Sequence, residues 1–141
     1  MLHRKPPKLF FAGTDTDVGK TYVASLAARV IVANGINLGV YKPVASGCHT
    51  EQGQLIAEDA VSLWKAAGQP LSLEQVCPQR FKAPLAPPEA AALEKTQVDA
   101  EKIRDGIKIW EQNSFWFSRY SCSSIGPFHY PSSNGTAKRL L

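Results

Sequence analysis

The sequence predicts an α/β fold, a parallel sheet with flanking helices, and two observations carry that prediction. A short apolar run, LFFA at 9–12, passes through the glycine-containing stretch GTDTDVGKT at 13–21 into an apolar pattern of helical spacing. A second apolar run, LGVYKPV at 38–44, follows after a brief Gly/Asn turn. Strand, helix and strand in this order and at this separation make a βαβ unit, whose strands lie parallel.

The elements follow in chain order. Pro6 and Pro7 precede the first run, which is aromatic and reads as a buried strand. From Thr21, the residues Tyr22, Val23, Leu26, Ala27, Val30 and Ile31 recur at helical spacing, and Gly35 ends that helix. Pro43 stops the second strand. VASGCHTEQGQ, 44–54, is expected to be loop, and AEDAVSLWKAAG, 57–68, a helix with Glu58 and Asp59 in its first turn and Gly68 at its end. Pro78, Pro84, Pro87 and Pro88 are expected to keep the chain irregular until Glu89 starts a short alanine-rich helix. VDAEKIRDGIKIWEQ, 98–112, reads as a further helix, with Asp99 as N-cap and Ile103, Ile107 and Trp110 on one face.

Composition narrows the function classes. The 141 residues suit one domain, and no stretch approaches the roughly 20 apolar residues of a membrane span. The basic start, MLHRKPPK, is followed by only a short apolar run, so neither a signal peptide nor an amphipathic transit helix is expected. Cys48, Cys77 and Cys122 lie far apart, as do His3, His49 and His129, which argues against a zinc site or a disulfide framework. Free thiols fit a reducing, cytoplasmic setting. The net charge of +4 points away from nucleic acid once it is located: residues 1–111 carry 13 basic and 12 acidic side chains, and the remaining excess belongs to Arg119, Lys138 and Arg139.

The stretch at 13–21 is a candidate phosphate-binding loop. Strand, glycine-containing loop and helix N-terminus together direct unpaired backbone N–H groups and the positive end of the helix dipole at one point. Lys20 would meet β- and γ-phosphate oxygens as a point charge, and the Thr21 hydroxyl would ligate Mg²⁺. The alternative is a tight strand-to-helix turn shaped by Gly13 and Gly19, with Lys20 a solvated first-turn lysine. That lysine would then oppose the helix dipole with no anion to compensate it. The spacing is unusual, with five residues between Gly13 and Gly19 where four are customary.

FFAGTDTDVGKTYVA, then GVYKPVASG, then EDAVSLW, then CPQRFKAPLAPPEAAA resemble, in this order and at these separations, the N-terminal half of the dethiobiotin synthetase family, which has the five-residue spacing as its own form of the loop. The resemblance covers roughly residues 7–113 and implies a P-loop NTPase-like domain, here incomplete. The related partition and cell-division ATPases carry a lysine at the position of Asp15, which sets that branch aside.

The resemblance implies an ATP- and Mg²⁺-dependent ligase of biotin synthesis acting on 7,8-diaminononanoate and CO2, as a cytoplasmic homodimer with neither nucleic-acid nor membrane partner. It implies catalytic roles for Lys20 and Lys42, and substrate contacts for Thr16, Lys42 and Ser46. Nucleotide binding would fall to Gly13, Thr16, Asp17, Val18, Gly19, Lys20, Thr21, Tyr22 and Asp59, and metal binding to Thr21 and Asp59. Taken singly, Lys42 reads more readily as a surface lysine at a strand end, Asp59 equally as an acid complementing a helix dipole, and Ser46 also as a turn serine.

From about residue 114 the text, SFWFSRYSCSSIGPFHYPSSNGTAKRLL, departs from the family pattern, which continues there with a hydrophobic strand and Glu-Gly-Ala-Gly-Gly. It contains no acid and no sustained strand pattern. Residues 114–141 are expected to be an aberrant, disordered tail, the product of a frameshift or truncation that leaves the chain inactive. The other reading is a noncatalytic phosphate-loop module that binds nucleotide or pairs with another subunit.

Overall fold

A computed structural model describes residues 8–12, 19–112 and 116–120, the last of these by its backbone. Strand β1 (Lys8–Phe11) precedes helix α1 (Lys20–Ala33), and β2 (Leu38–Tyr41) follows. Gly35, at φ 76°, terminates α1 as the sequence predicts. The main sheet is parallel, but β1 and β2 do not touch. Between them lies a strand formed by Trp116–Tyr120, pairing Lys8 with Phe117 on one side and Leu38 with Trp116 on the other. These five residues fall in the segment that the sequence sets apart as a tail. Their aromatic content favours strand, yet so short a run, interrupted by Ser118 and Arg119, has no alternation to announce it. The expectation for residues 121–141 lies outside the described residues.

Beyond β2 the chain does not continue as one strand. Lys42 and Pro43 break it, and a two-residue strand, β3 (Val44–Ala45), pairs in parallel with β6 (Gln79–Arg80) inside the proline-rich region. The segment expected to be loop instead holds an antiparallel hairpin, β4 (His49–Glu51) and β5 (Gln54–Ile56). Its two-residue turn places both Gln52, at φ 48°, and Gly53, at φ 80°, in the left-handed region. Such a turn matches the twist of the flanking strands. The signal was weak because glutamine seldom occupies the position that asparagine or aspartate usually fills.

Helices α2 (Glu58–Ala66), α3 (Leu73–Val76), α4 (Pro87–Leu93) and α5 (Ala100–Gln112) complete the description, with Trp116–Tyr120 as β7. Helix α3 is closed by a capping box between Ser72 and Gln75. Helix α4 begins two residues earlier than expected, because Pro87 and Pro88 occupy first-turn positions whose N–H groups need no partner. Asp99 caps α5 as predicted, its Oδ1 accepting from the N–H groups of Glu101 and Lys102 at 2.9 and 3.0 Å.

The core centres on β2, whose four residues are all buried, with Ala24 and Ala28 of α1, Ala60 and Leu63 of α2, Val76 and Cys77, and Ile107 and Trp110 of α5. The apolar periodicity of α1 locates the helix but not its buried face. That face is the alanine pair, where small side chains permit close approach to the neighbouring helix α2, whereas Val23, Leu26 and Val30 are exposed. A smaller cluster, Val44, Phe81, Ala90 and Ala91, holds β3 against α4.

Candidate active site

The cleft is built by three short pieces of backbone. Gly19 adopts φ 85°, a left-handed conformation that leads the chain into α1. Lys20 and Thr21 therefore stand on the first turn, and no acidic side chain shares that turn with them. The break after β2 supplies the second piece. The N–H of Lys42 bonds to the Val76 carbonyl at 2.8 Å, which fixes the lysine backbone where the main sheet gives way to β3. The first turn of α2, entered through Ala57, supplies Glu58 and Asp59.

These pieces enclose one cleft of about 510 Å³, lined among others by Gly19, Lys20, Thr21, Lys42, Ser46 and Asp59. Lys20 and Lys42 are both buried residues, 8% and 7% exposed. Lysines so far withdrawn from water are uncommon unless negative charge meets them. For Lys42 part of that charge is supplied by Asp59, whose Oδ2 lies 3.4 Å from Nζ.

Of the residues expected from sequence, the structure brings together Gly19, Lys20, Thr21, Tyr22, Lys42, Ser46 and Asp59. The surface-lysine reading of Lys42 is thereby set aside. Gly13, Thr16, Asp17 and Val18 lie outside the described residues. Glu58, Gly47 and Pro87 also line the cleft and were not singled out. Glu58 had a usable signal, its place beside Asp59 at a helix start. Pro87 had none, since it arrives from α4 by tertiary packing.

Thr21 and Asp59 also line a small recess of the cleft together with Lys42 and Leu63. A hydroxyl and a carboxylate are hard oxygen donors of the kind Mg²⁺ takes, with phosphate oxygens and water completing the shell. Among the described residues no group of three or more His, Cys, Asp or Glu gathers to hold a metal. The two buried thiols stand apart from this chemistry. Burial pushes Cys48 up from its ordinary value and Cys77 up to about 12, so neither serves as a nucleophile near neutral pH.

Residues 7–115 match the AAA domain family. The chain is similar to proteins named ATP-dependent dethiobiotin synthetase BioD. With that of Rhodopirellula baltica it shares 49% identity over 107 residues, 75% of this chain and 42% of the relative. With that of Idiomarina loihiensis it shares 42% over 98 residues, covering 70% and 44%. With that of Endomicrobium trichonymphae it shares 38% over 117 residues, covering 83% and 50%. The chain thus spans half or less of the length of these relatives.

Proposed function

The chain belongs to the AAA domain family, and from that premise we propose that it forms the phosphate-binding part of an ATP-dependent dethiobiotin synthetase. The observation that carries the reading is the convergence of Lys20, Thr21, Lys42, Ser46 and Asp59 on one cleft from three separate elements. The names of the relatives supply the reaction class.

The reaction proposed for the whole protein closes a cyclic urea. One amine of 7,8-diaminononanoate takes up CO2 as a carbamate, and a carbamate oxygen receives the γ-phosphoryl group of ATP to give a carbamic–phosphoric anhydride. The second amine then attacks the carbonyl carbon and expels phosphate. Such transfers depend on positioning and charge stabilisation. Lys20, at the start of α1, suits the β- and γ-phosphates. Lys42, across the cleft, suits the carbamate and the transferring group, and the Ser46 hydroxyl a substrate hydrogen bond. Thr21 and Asp59 would hold Mg²⁺, which neutralises phosphate charge when bound.

A homodimer in a cytoplasmic setting belongs to the same reading. No described helix is long and apolar enough to cross a membrane.

Isothermal titration with ATP, GTP and inorganic triphosphate tests it. A site made of loop and lysine reads phosphate, so the three ligands should bind weakly and alike, and Lys20→Ala should abolish all three. No heat from any ligand would overturn the reading. A clear preference for ATP would place a base-recognising surface within this chain.

A further inference from the structure

The ion pair of Lys42 with Asp59 joins two residues to which the proposed reaction gives separate tasks. The side chain of Lys42 is 9% exposed and that of Asp59 52%. The lysine is anchored through its backbone bond to Val76 and the proline that follows it. Asp59, on the half-open first turn of α2, is the partner free to change direction. Its carboxylate and the Thr21 hydroxyl are the side-chain oxygens of the recess they share with Lys42. The carboxylate suited to a divalent cation is therefore already engaged by an ammonium group, and two positive charges compete for it.

We propose that Asp59 serves the two cations in alternation. Before a divalent cation arrives, it holds the Lys42 ammonium toward α2. A cation that draws the carboxylate toward Thr21 releases Lys42 to the reacting groups. Asp59 is then a positioning residue for Lys42 as well as a ligand, and the lysine is delivered only once the metal is in place. The proposal rests on the reading of Thr21 and Asp59 as metal-binding residues.

The test uses Mn²⁺ alone, its binding followed by electron paramagnetic resonance, with the wild-type chain and the variants Lys42→Met, Lys42→Arg and Asp59→Asn. Removing the competing charge should tighten Mn²⁺ binding about three- to tenfold in Lys42→Met. Lys42→Arg should return it to near the wild-type value, and Asp59→Asn should lose it. Equal or weaker binding by Lys42→Met, with binding still lost in Asp59→Asn, overturns the alternation and leaves the metal reading intact. Wild-type binding by Asp59→Asn overturns the metal reading and the proposal together. A measurement on the unaltered chain guards against a variant that fails to fold. Reductive methylation at Lys42, located by mass spectrometry, should quicken severalfold when Mg²⁺ is added, and an unchanged rate overturns the proposal.

Discussion

The phenol of Tyr41 occupies the space in which a side chain at position 106 would begin. A β-carbon built on Gly106 would lie 2.8 Å from Cζ of Tyr41 and nearer still to its hydroxyl oxygen. Tyr41 is fully buried in β2, and its hydroxyl donates to the Ile103 carbonyl one turn earlier in α5, at 2.9 Å. Within a helix, alanine ordinarily improves on glycine by roughly 1 kcal/mol. Here Gly106→Ala is expected to destabilise by about 1–3 kcal/mol, because the ring must move and its hydrogen bond with it. Urea unfolding measures this as a lowered midpoint. Adding Tyr41→Phe should recover only part of the loss, since the ring carbons remain in the way. A midpoint at or above wild type would mean that the ring yields freely.

Gln79 ties β6 to α5 through the backbone of Asp99. Its Nε2 donates to the Asp99 carbonyl and its Oε1 accepts from the Asp99 N–H, both at 2.8 Å. Gln79→Ala strands both groups and is expected to cost roughly 1–3 kcal/mol. Asp99→Ala removes only the cap of α5, about 1 kcal/mol. Thermal unfolding of the two variants should rank Gln79→Ala the less stable, and the opposite order would show that water replaces the glutamine.

Cys77 makes stability sensitive to alkali. Its thiol is raised from an ordinary 9.0 to about 12 by burial, so the folded state favours the neutral form. That contribution is fully present below pH 9.0 and is lost as pH rises toward about 12, where the unfolded chain has already released its proton. Chemical unfolding at pH 8 and pH 10 should show a fall for the wild-type chain and a smaller fall for Cys77→Ala. Equal falls would assign the alkaline loss to other groups.

Joined to the remaining length of the Rhodopirellula baltica relative, the chain should give an enzyme whose turnover collapses on Lys20→Ala or Lys42→Ala. Losing one preorganised charge from a phosphoryl-transfer site costs on the order of 3 kcal/mol, or 10²- to 10³-fold in rate. Near-normal turnover in either variant would remove that lysine from the chemistry.

What the sequence disclosed and what it withheld divide along physical lines. Helices α1, α2 and α5 were legible because apolar spacing and end signals such as Gly35, Gly68 and Asp99 are local properties. The hairpin around Gln52 and Gly53 was not, since its turn relies on a residue with little preference for positive φ. The buried face of α1 was ambiguous because alanines lie beside larger apolar residues, and only the partner surface decides which are covered. In the cleft, Lys20 and Thr21 follow from one local motif. Lys42 and Asp59 needed a resemblance to be singled out, because what joins them is the packing of α2 near the end of β2.

The place of β7 bears on how the chain is assembled during synthesis. Lys8–Phe11 and Leu38–Tyr41 are made early, yet among the described residues each finds its sheet neighbour in Trp116–Tyr120. At about 5–20 residues per second, the ribosome leaves β2 waiting roughly 4–15 s for that neighbour. During that interval the nascent chain presents two unpaired strands, including the aromatic Phe10 and Phe11. Such edges recruit other strands, so ribosome-associated holding factors and slowed translation between β2 and β7 should have opposite effects on the yield of folded protein.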